Sequence, residues 1–125
     1  MQRAVFVWLL ASLAVRAGAQ AVLILPFENR SRSSTLDWIG ESAAEAIAAR
    51  WSSPDRYVIG REERSAALER LGLPPALEFS HATVIKVAEF TGADLAIAGS
   101  FEGDAQRDTL TARVLDRRNL RLGSI

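Results

Sequence analysis

The sequence predicts an α/β fold: a single domain of three-layer type on a mixed sheet of about five strands, in the order β-α-β-α-α-β-β-β. Three observations carry that prediction. Up to Gly92, short apolar runs of strand length alternate with amphipathic stretches of helix length, the pattern of parallel strands joined by helical crossovers. From Asp94 onward the chain alternates polar and apolar residues around polar turns, the pattern of antiparallel hairpins. No internal repeat or low-complexity stretch interrupts this order.

The first residues read differently from the rest. Met1–Arg3 form a short basic start, Ala4–Val15 are apolar apart from Ser12, and Arg16 ends the run. Spanning a bilayer takes about 20 apolar residues, so a secretory signal peptide is favoured over a membrane anchor. Ala17-Gly18-Ala19 supplies the small residues of a cleavage site, with Gln20 as the mature start and cleavage after Ala17 as the near alternative. The competing reading is a buried amino-terminal strand or helix. The sequence has no cysteine, which leaves no attachment point for a thiol-linked lipid, no disulfide framework and no thiolate metal site.

Residues 1–19 hold two arginines and no acid, so residues 20–125 carry 13 basic and 15 acidic residues, a net charge of −2. That balance gives no drive toward nucleic acid or anionic lipid. The remaining 106 residues suffice for one core. The expected organisation is therefore a signal over 1–19 and one domain over 20–125, periplasmic or secreted, with no stable membrane insertion after cleavage. The chain stops inside a predicted strand, which is either a terminal edge or the front of a longer protein.

Along that domain, Ala21–Phe27 (AVLILPF) is a continuous apolar run, as in a central strand covered on both faces. Asn29–Ser34 is a polar loop. Ser34 with Asp37 three residues later forms a capping-box-like start for a helix from Thr35 to Trp51, with Leu36, Ile39, Ala43, Ile47 and Trp51 on one face. Arg56–Gly60 has the β-branched and aromatic content of a second strand. A second helix runs from Arg61 to Leu71, anchored by Leu68 and Leu71 and stopped by Gly72, and a third from the cap Ser80 to Thr91, burying Val84, Val87 and Ala88, with Gly92 ending it. Asp94–Glu102, Thr109–Asp116 and Leu120–Ile125 complete the strands.

Catalytic and cofactor signatures are missing. The eight glycines have neither Rossmann nor Walker spacing. His81 is the only histidine, and no nucleophile and orienter accompany it at a useful spacing. The carboxylate pairs Glu41/Glu45 and Glu62/Glu63 read as solvated helix faces. Arg113, Arg117, Arg118 and Arg121 form the densest basic cluster, read as a solvated hairpin tip because Asp116 interrupts it and no aromatic interleaves it. Neither an enzyme, a cofactor nor a metal is expected.

Two aromatics stand apart. On a helical wheel Trp38 lies opposite the Leu36/Ile47 stripe, and Phe90 lies off the Val84/Ala88 stripe near Lys86. Each either packs locally, Trp38 over the Asn29–Ser34 loop and Phe90 under Pro74 and Pro75, or faces a partner, for which Trp and Phe are favoured anchors.

The segments AVLILPFEN, LDWIGESAAEAIAARW, YVIGREERSAALERLG, GADLAIAGSFEGD and TARVLD, in that order across residues 21–116, resemble the envelope domains related to the TolB amino-terminal domain and the curli-secretion CsgG family. The resemblance implies a periplasmic α/β domain that works by protein–protein contact, without cofactor or catalysis. The absent cysteine and the lack of room for membrane-spanning hairpins point to an adaptor rather than a pore.

The functional expectation is a non-catalytic interaction module with a protein partner in the cell envelope and none in nucleic acid. It would recognise that partner by an exposed last strand or by the loop after the first strand, where open α/β sheets place their crevices. The candidate partner-binding residues are Asn29, Arg30, Arg32, Trp38 and Phe90. The alternative is a small-ligand receptor or hydrolase in the same crevice, lined by Glu28, Asn29 and Asp37. Amino-terminal sequencing of the exported protein is expected to begin at Gln20, or at Gly18 for the nearer cleavage; retention of Met1 on the exported chain would remove the signal-peptide reading.

Overall fold

The computed structural model describes residues 20–74, 79–103, 107–117 and 121–124. The signal-peptide reading, Pro75 and Arg118 lie outside them, and so does the side chain of Arg121. The elements are β1 (Gln20–Ile24), β2 (Glu28–Asn29), α1 (Trp38–Trp51), β3 (Arg56–Val58), α2 (Arg61–Arg70), α3 (His81–Thr91), β4 (Leu95–Gly103), β5 (Asp108–Asp116) and β6 (Arg121–Ser124), with a 3-10 turn at Ser34–Leu36 before α1. The sheet runs β3-β1-β4-β5-β6, and β2 pairs with β4 beyond the end of β1. β1 is parallel to both β3 and β4, while β4-β5 and β5-β6 are antiparallel. This is the mixed sheet expected from the order of the elements, with β2 added.

The alternation of β1 sorts its neighbours into layers. Val22 and Ile24 face α1, where they share a buried cluster with Phe27, Ala44, Ile97, Phe101 and Ala112 and are flanked by Leu36, Ile39, Ala43, Ile47 and Trp51. Leu23 and Leu25 face the opposite way, into a cluster with Leu68 of α2 and Val84, Val87 and Ala88 of α3. Successive strand side chains point to opposite faces, so one buried strand between two helical layers requires an unbroken apolar run. Val22, Leu23, Ile24 and Leu25 are all essentially inaccessible to solvent, each worth about 1.5–3 kcal/mol of apolar burial.

The expected strand Ala21–Phe27 is interrupted, for a backbone reason. Pro26 has no N–H to give a ladder. Leu25 still donates to the Ile97 carbonyl, at 2.9 Å, but the Phe27 N–H turns away from the sheet to the Gly40 carbonyl of α1, at 3.1 Å. Pairing with β4 resumes at Glu28 and Asn29, opposite Ser100 and Phe101. The polar loop expected from Asn29 thus begins as a strand.

The expected capping box does not form. Neither Ser34 nor Asp37 makes a side-chain cap; the Asp37 carboxylate instead accepts a 2.7 Å hydrogen bond from Asn29 Nδ2. The stretch that should open the helix closes as a 3-10 turn, and α1 starts at Trp38 rather than Thr35. The other ends follow the sequence closely. Ser80 Oγ accepts from the Thr83 N–H, and Gly72 and Gly92 end α2 and α3 with φ of +68° and +76°, a conformation costly for a residue with a side chain.

Two charge expectations are corrected. Glu41 is not part of a solvated face: it accepts a hydrogen bond from Nη2 of Arg64, a buried residue of α2 whose Nη1 also donates to the Ile24 carbonyl at 3.1 Å. Arg113 and Arg117 are not a solvated tip, since both are half-buried and hold backbone carbonyls, Arg113 that of Phe79 and Arg117 that of Ala93, each at 2.6 Å.

A methyl group on Gly40 would collide with the Phe27 carbonyl oxygen, whereas one on Gly60 meets nothing within 4 Å. Gly40→Ala is therefore expected to destabilise the fold by about 2–3 kcal/mol, as overpacking does, and Gly60→Ala to be close to neutral. Thermal melts of the two variants check the contrast; equal melting temperatures would remove the close approach of α1 to Phe27.

Candidate functional site

The β4–β5 hairpin projects past the helical layers, and that overhang creates the candidate site. The pairing register sets Phe101 opposite Leu110 and Gly99 opposite Ala112. Alternation along β5 places Leu110 on the same face as Ala112 and Val114, the face that α1 covers. Ala112 is buried, yet Leu110 is 55% exposed because it lies beyond the cover of the helix.

Between the amino-terminal half of α1 and this overhang runs an open groove of about 810 Å³, whose walls include Leu36, Trp38, Ile39 and Ala43 on one side and Phe101 and Leu110 on the other. Trp38 is 65% exposed on its rim. Its place off the apolar stripe is consistent with that exposure. Leu110 was not among the expected site residues, although the alternation of β5 carries the signal that places it on the α1 face.

A second depression of about 670 Å³ adjoins the groove and shares Glu102, Gly103 and Thr109 with it; Arg30, Arg32 and Arg107 line it. Arg30 Nε pairs with Glu28 at 3.2 Å in solvent, and exposed pairs of this kind contribute little to stability. Arg32 is exposed and makes no ion pair among the described residues.

Asn29 has a different part. Its Nδ2 donates to the Ser33 carbonyl at 2.9 Å and to Asp37, and its Oδ1 accepts from the Ser31 N–H at 2.8 Å. Ser31 Oγ in turn accepts from the Gly103 N–H at 2.8 Å. Asn29 therefore shapes the loop that carries Arg30 and Arg32 and ties it to the hairpin; its polar atoms are occupied internally.

The expected residues do not all converge. Phe90 is 49% exposed, but α3 lies on the sheet face opposite α1, so Phe90 and Trp38 belong to different surfaces. The crevice proposed for a small ligand also divides. Asn29 and Asp37 bond each other on one side, while Glu28 lines a separate pocket of about 120 Å³ with Pro26, Ser100, Thr111 and Arg113. His81 is exposed at the start of α3. Among the described residues there is no group of three or more His, Cys, Asp or Glu able to hold a metal ion, and no helix long and apolar enough to cross a membrane.

Fold and surface together define a three-layer α/β domain with an apolar groove at a hairpin overhang. No protein-family model matches the chain, and no curated protein does. Solved structures do share the fold. The carboxyl-terminal domain of LpoB from Salmonella enterica aligns over 86% of this chain and 83% of its own, with a TM-score of 0.64 at 17% identity. The corresponding domain from Escherichia coli aligns over 85% and 80%, with a TM-score of 0.60 at 20% identity. The lipoprotein GNA1162 from Neisseria meningitidis aligns over 84% and 77%, with a TM-score of 0.65 at 21% identity. At these identities the likeness is one of fold.

Because Trp38 is exposed and Asn29 is internally bonded, their substitutions should separate. Trp38→Ala is expected to change stability by less than about 0.5 kcal/mol, and Asn29→Ala to cost about 1 kcal/mol for its lost loop bonds. Urea titrations followed by circular dichroism check both; a large loss in Trp38→Ala would make Trp38 a packing residue.

Proposed function

We propose that this chain is a non-catalytic protein-interaction module of the bacterial cell envelope, exported by residues 1–19 and acting as one domain over residues 20–125. The observation that carries the proposal is the apolar groove between α1 and the β4–β5 overhang, with Trp38 and Leu110 exposed on its walls. Scattered exposed apolar residues need no explanation, but a contiguous patch with an aromatic at its rim is the usual form of a protein contact.

The fold shared with LpoB domains and with a meningococcal lipoprotein supports the envelope setting. The resemblance to TolB amino-terminal and CsgG-type domains names a narrower kinship within the same reading. A chain without cysteine would work in the envelope without a thiol-linked lipid. Of the residues expected from the sequence, Trp38, Arg30 and Arg32 belong to this surface, Asn29 supports it from beneath, and Phe90 would serve a separate contact from the opposite layer.

The test is site-specific photo-crosslinking in intact cells. Benzoylphenylalanine in place of Ser42, on the groove wall, is expected to capture a partner protein, and the same residue in place of Glu69, exposed on α2, is not. Capture from Glu69 alone would move the interface to the other layer, and capture from neither would remove the interaction reading.

A further inference from the structure

The sheet is covered unequally. On one face α2 and α3 both pack against it, whereas the other face carries α1. The path β3-β1-β4-β5-β6 spans about 20 Å, and one helix is about 10–12 Å across, so α1 shields only part of its face. The uncovered part is the groove wall at β5, where Leu110 is 55% exposed. The missing cover has the width of one helix.

Toward that space α1 turns a surface unlike an ordinary solvated helix face. Trp38, Ser42, Ala46 and Ala49 recur at steps of three and four residues and all are exposed, yet none is charged. The acids of the helix belong to its other flank: Glu41 pairs with Arg64, and Glu41 and Glu45 each stand 3.7 Å from Arg61 of α2. Small side chains let helix axes approach to about 8 Å. A projecting Trp and a groove able to receive it therefore lie side by side on one neutral strip. Contact between two identical copies needs such a strip, because a two-fold axis sets each residue beside it against its own counterpart and would oppose like charges.

We propose, resting on the interaction reading above, that the partner in the groove is a second copy of this chain. The two α1 helices lie antiparallel with the axis at Ser42, so Trp38 of each copy reaches Ala46 of the other. Each copy supplies the helix that the other's sheet lacks, and Trp38 and Leu110 leave solvent together. A helix of 14 residues is about 21 Å long, and laid against both walls of the groove it buries roughly 500 Å² per copy. That is below the roughly 800 Å² of a stable complex, so the pair dissociates at about 10–100 µM.

Sedimentation equilibrium of the purified protein, from about 1 to 500 µM, is expected to show a monomer–dimer transition. Ala46→Arg, at an exposed position, is expected to raise the dissociation constant at least tenfold, and Trp38→Ala about tenfold. Circular dichroism confirms that each variant stays folded. The chain has no cysteine, so Ser42→Cys places a single thiol at the axis, within disulfide reach of its own counterpart. Oxidation is expected to give a covalent dimer from Ser42→Cys and none from Ser65→Cys, exposed on α2.

A monomer at every concentration would overturn the self-pair. So would a dimer indifferent to Ala46→Arg, or a thiol at position 42 that crosslinks no faster than one at position 65. If the photo-crosslink from position 42 in cells then joins a different protein, the interaction reading stands and only the second copy falls; if it captures nothing, both fall.

Discussion

The structure turns on Phe27, a residue caught between two glycines. Its N–H is bonded to the Gly40 carbonyl, its own carbonyl oxygen presses on the Gly40 Cα, and its ring covers Gly99, where an added Cβ would come 2.7 Å from Phe27 Cε2 and strike the Thr111 carbonyl. Helix, strand break and hairpin are thereby brought to one point at closer range than any side chain at those glycines would permit. Pro26 opens the break between β1 and β2, and the Phe27 contact that follows it sets how closely α1 and the β4–β5 hairpin approach at that point.

On the other face of β1, the corresponding role falls to a charge. The Ile24 carbonyl lies beyond the reach of β3, which ends at Val58, and Arg64 supplies the missing donor. A buried guanidinium is costly unless paired; Glu41 of α1 pairs it, and Arg61 stands 3.7 Å from the same carboxylate. The arrangement links α1 and α2 around the end of the sheet through a polar contact, where the two apolar clusters do not meet. Among the buried side-chain polar atoms of the described residues, Arg64 Nε has no hydrogen-bond partner.

The groove follows from these two fixings. α1 is held by Phe27 near its start, so the helix covers Ile97, Phe101 and Ala112 but not Leu110. The hairpin carries its alternation past the cover, and an apolar position that would be core under a longer helix becomes surface. Asp37, drawn into the Asn29 bond, delays the start of α1 to Trp38 and so sets the Trp at the rim.

Much of this was legible in the chain. The unbroken apolar run AVLILPF, the Leu36-to-Trp51 stripe, the Ser80 cap and the Gly92 stop are local signals of strand, helix face and helix ends, and from them the chain alone fixed the order of the main elements, the layer type and the faces that are buried. It also determined that Trp38 lies off the apolar stripe. Tertiary structure alone decided that Pro26 breaks the strand, that Asp37 serves Asn29 instead of capping a helix, that Arg64, Arg113 and Arg117 turn inward to backbone carbonyls, and that Trp38 shares a groove with Leu110 while Phe90 lies in another layer. These depend on partners distant in the chain. A residue's period reports which way it faces, but what it meets there is set by sheet register and by how closely a helix approaches, and at Gly40 and Gly99 that approach is set by the absence of a side chain.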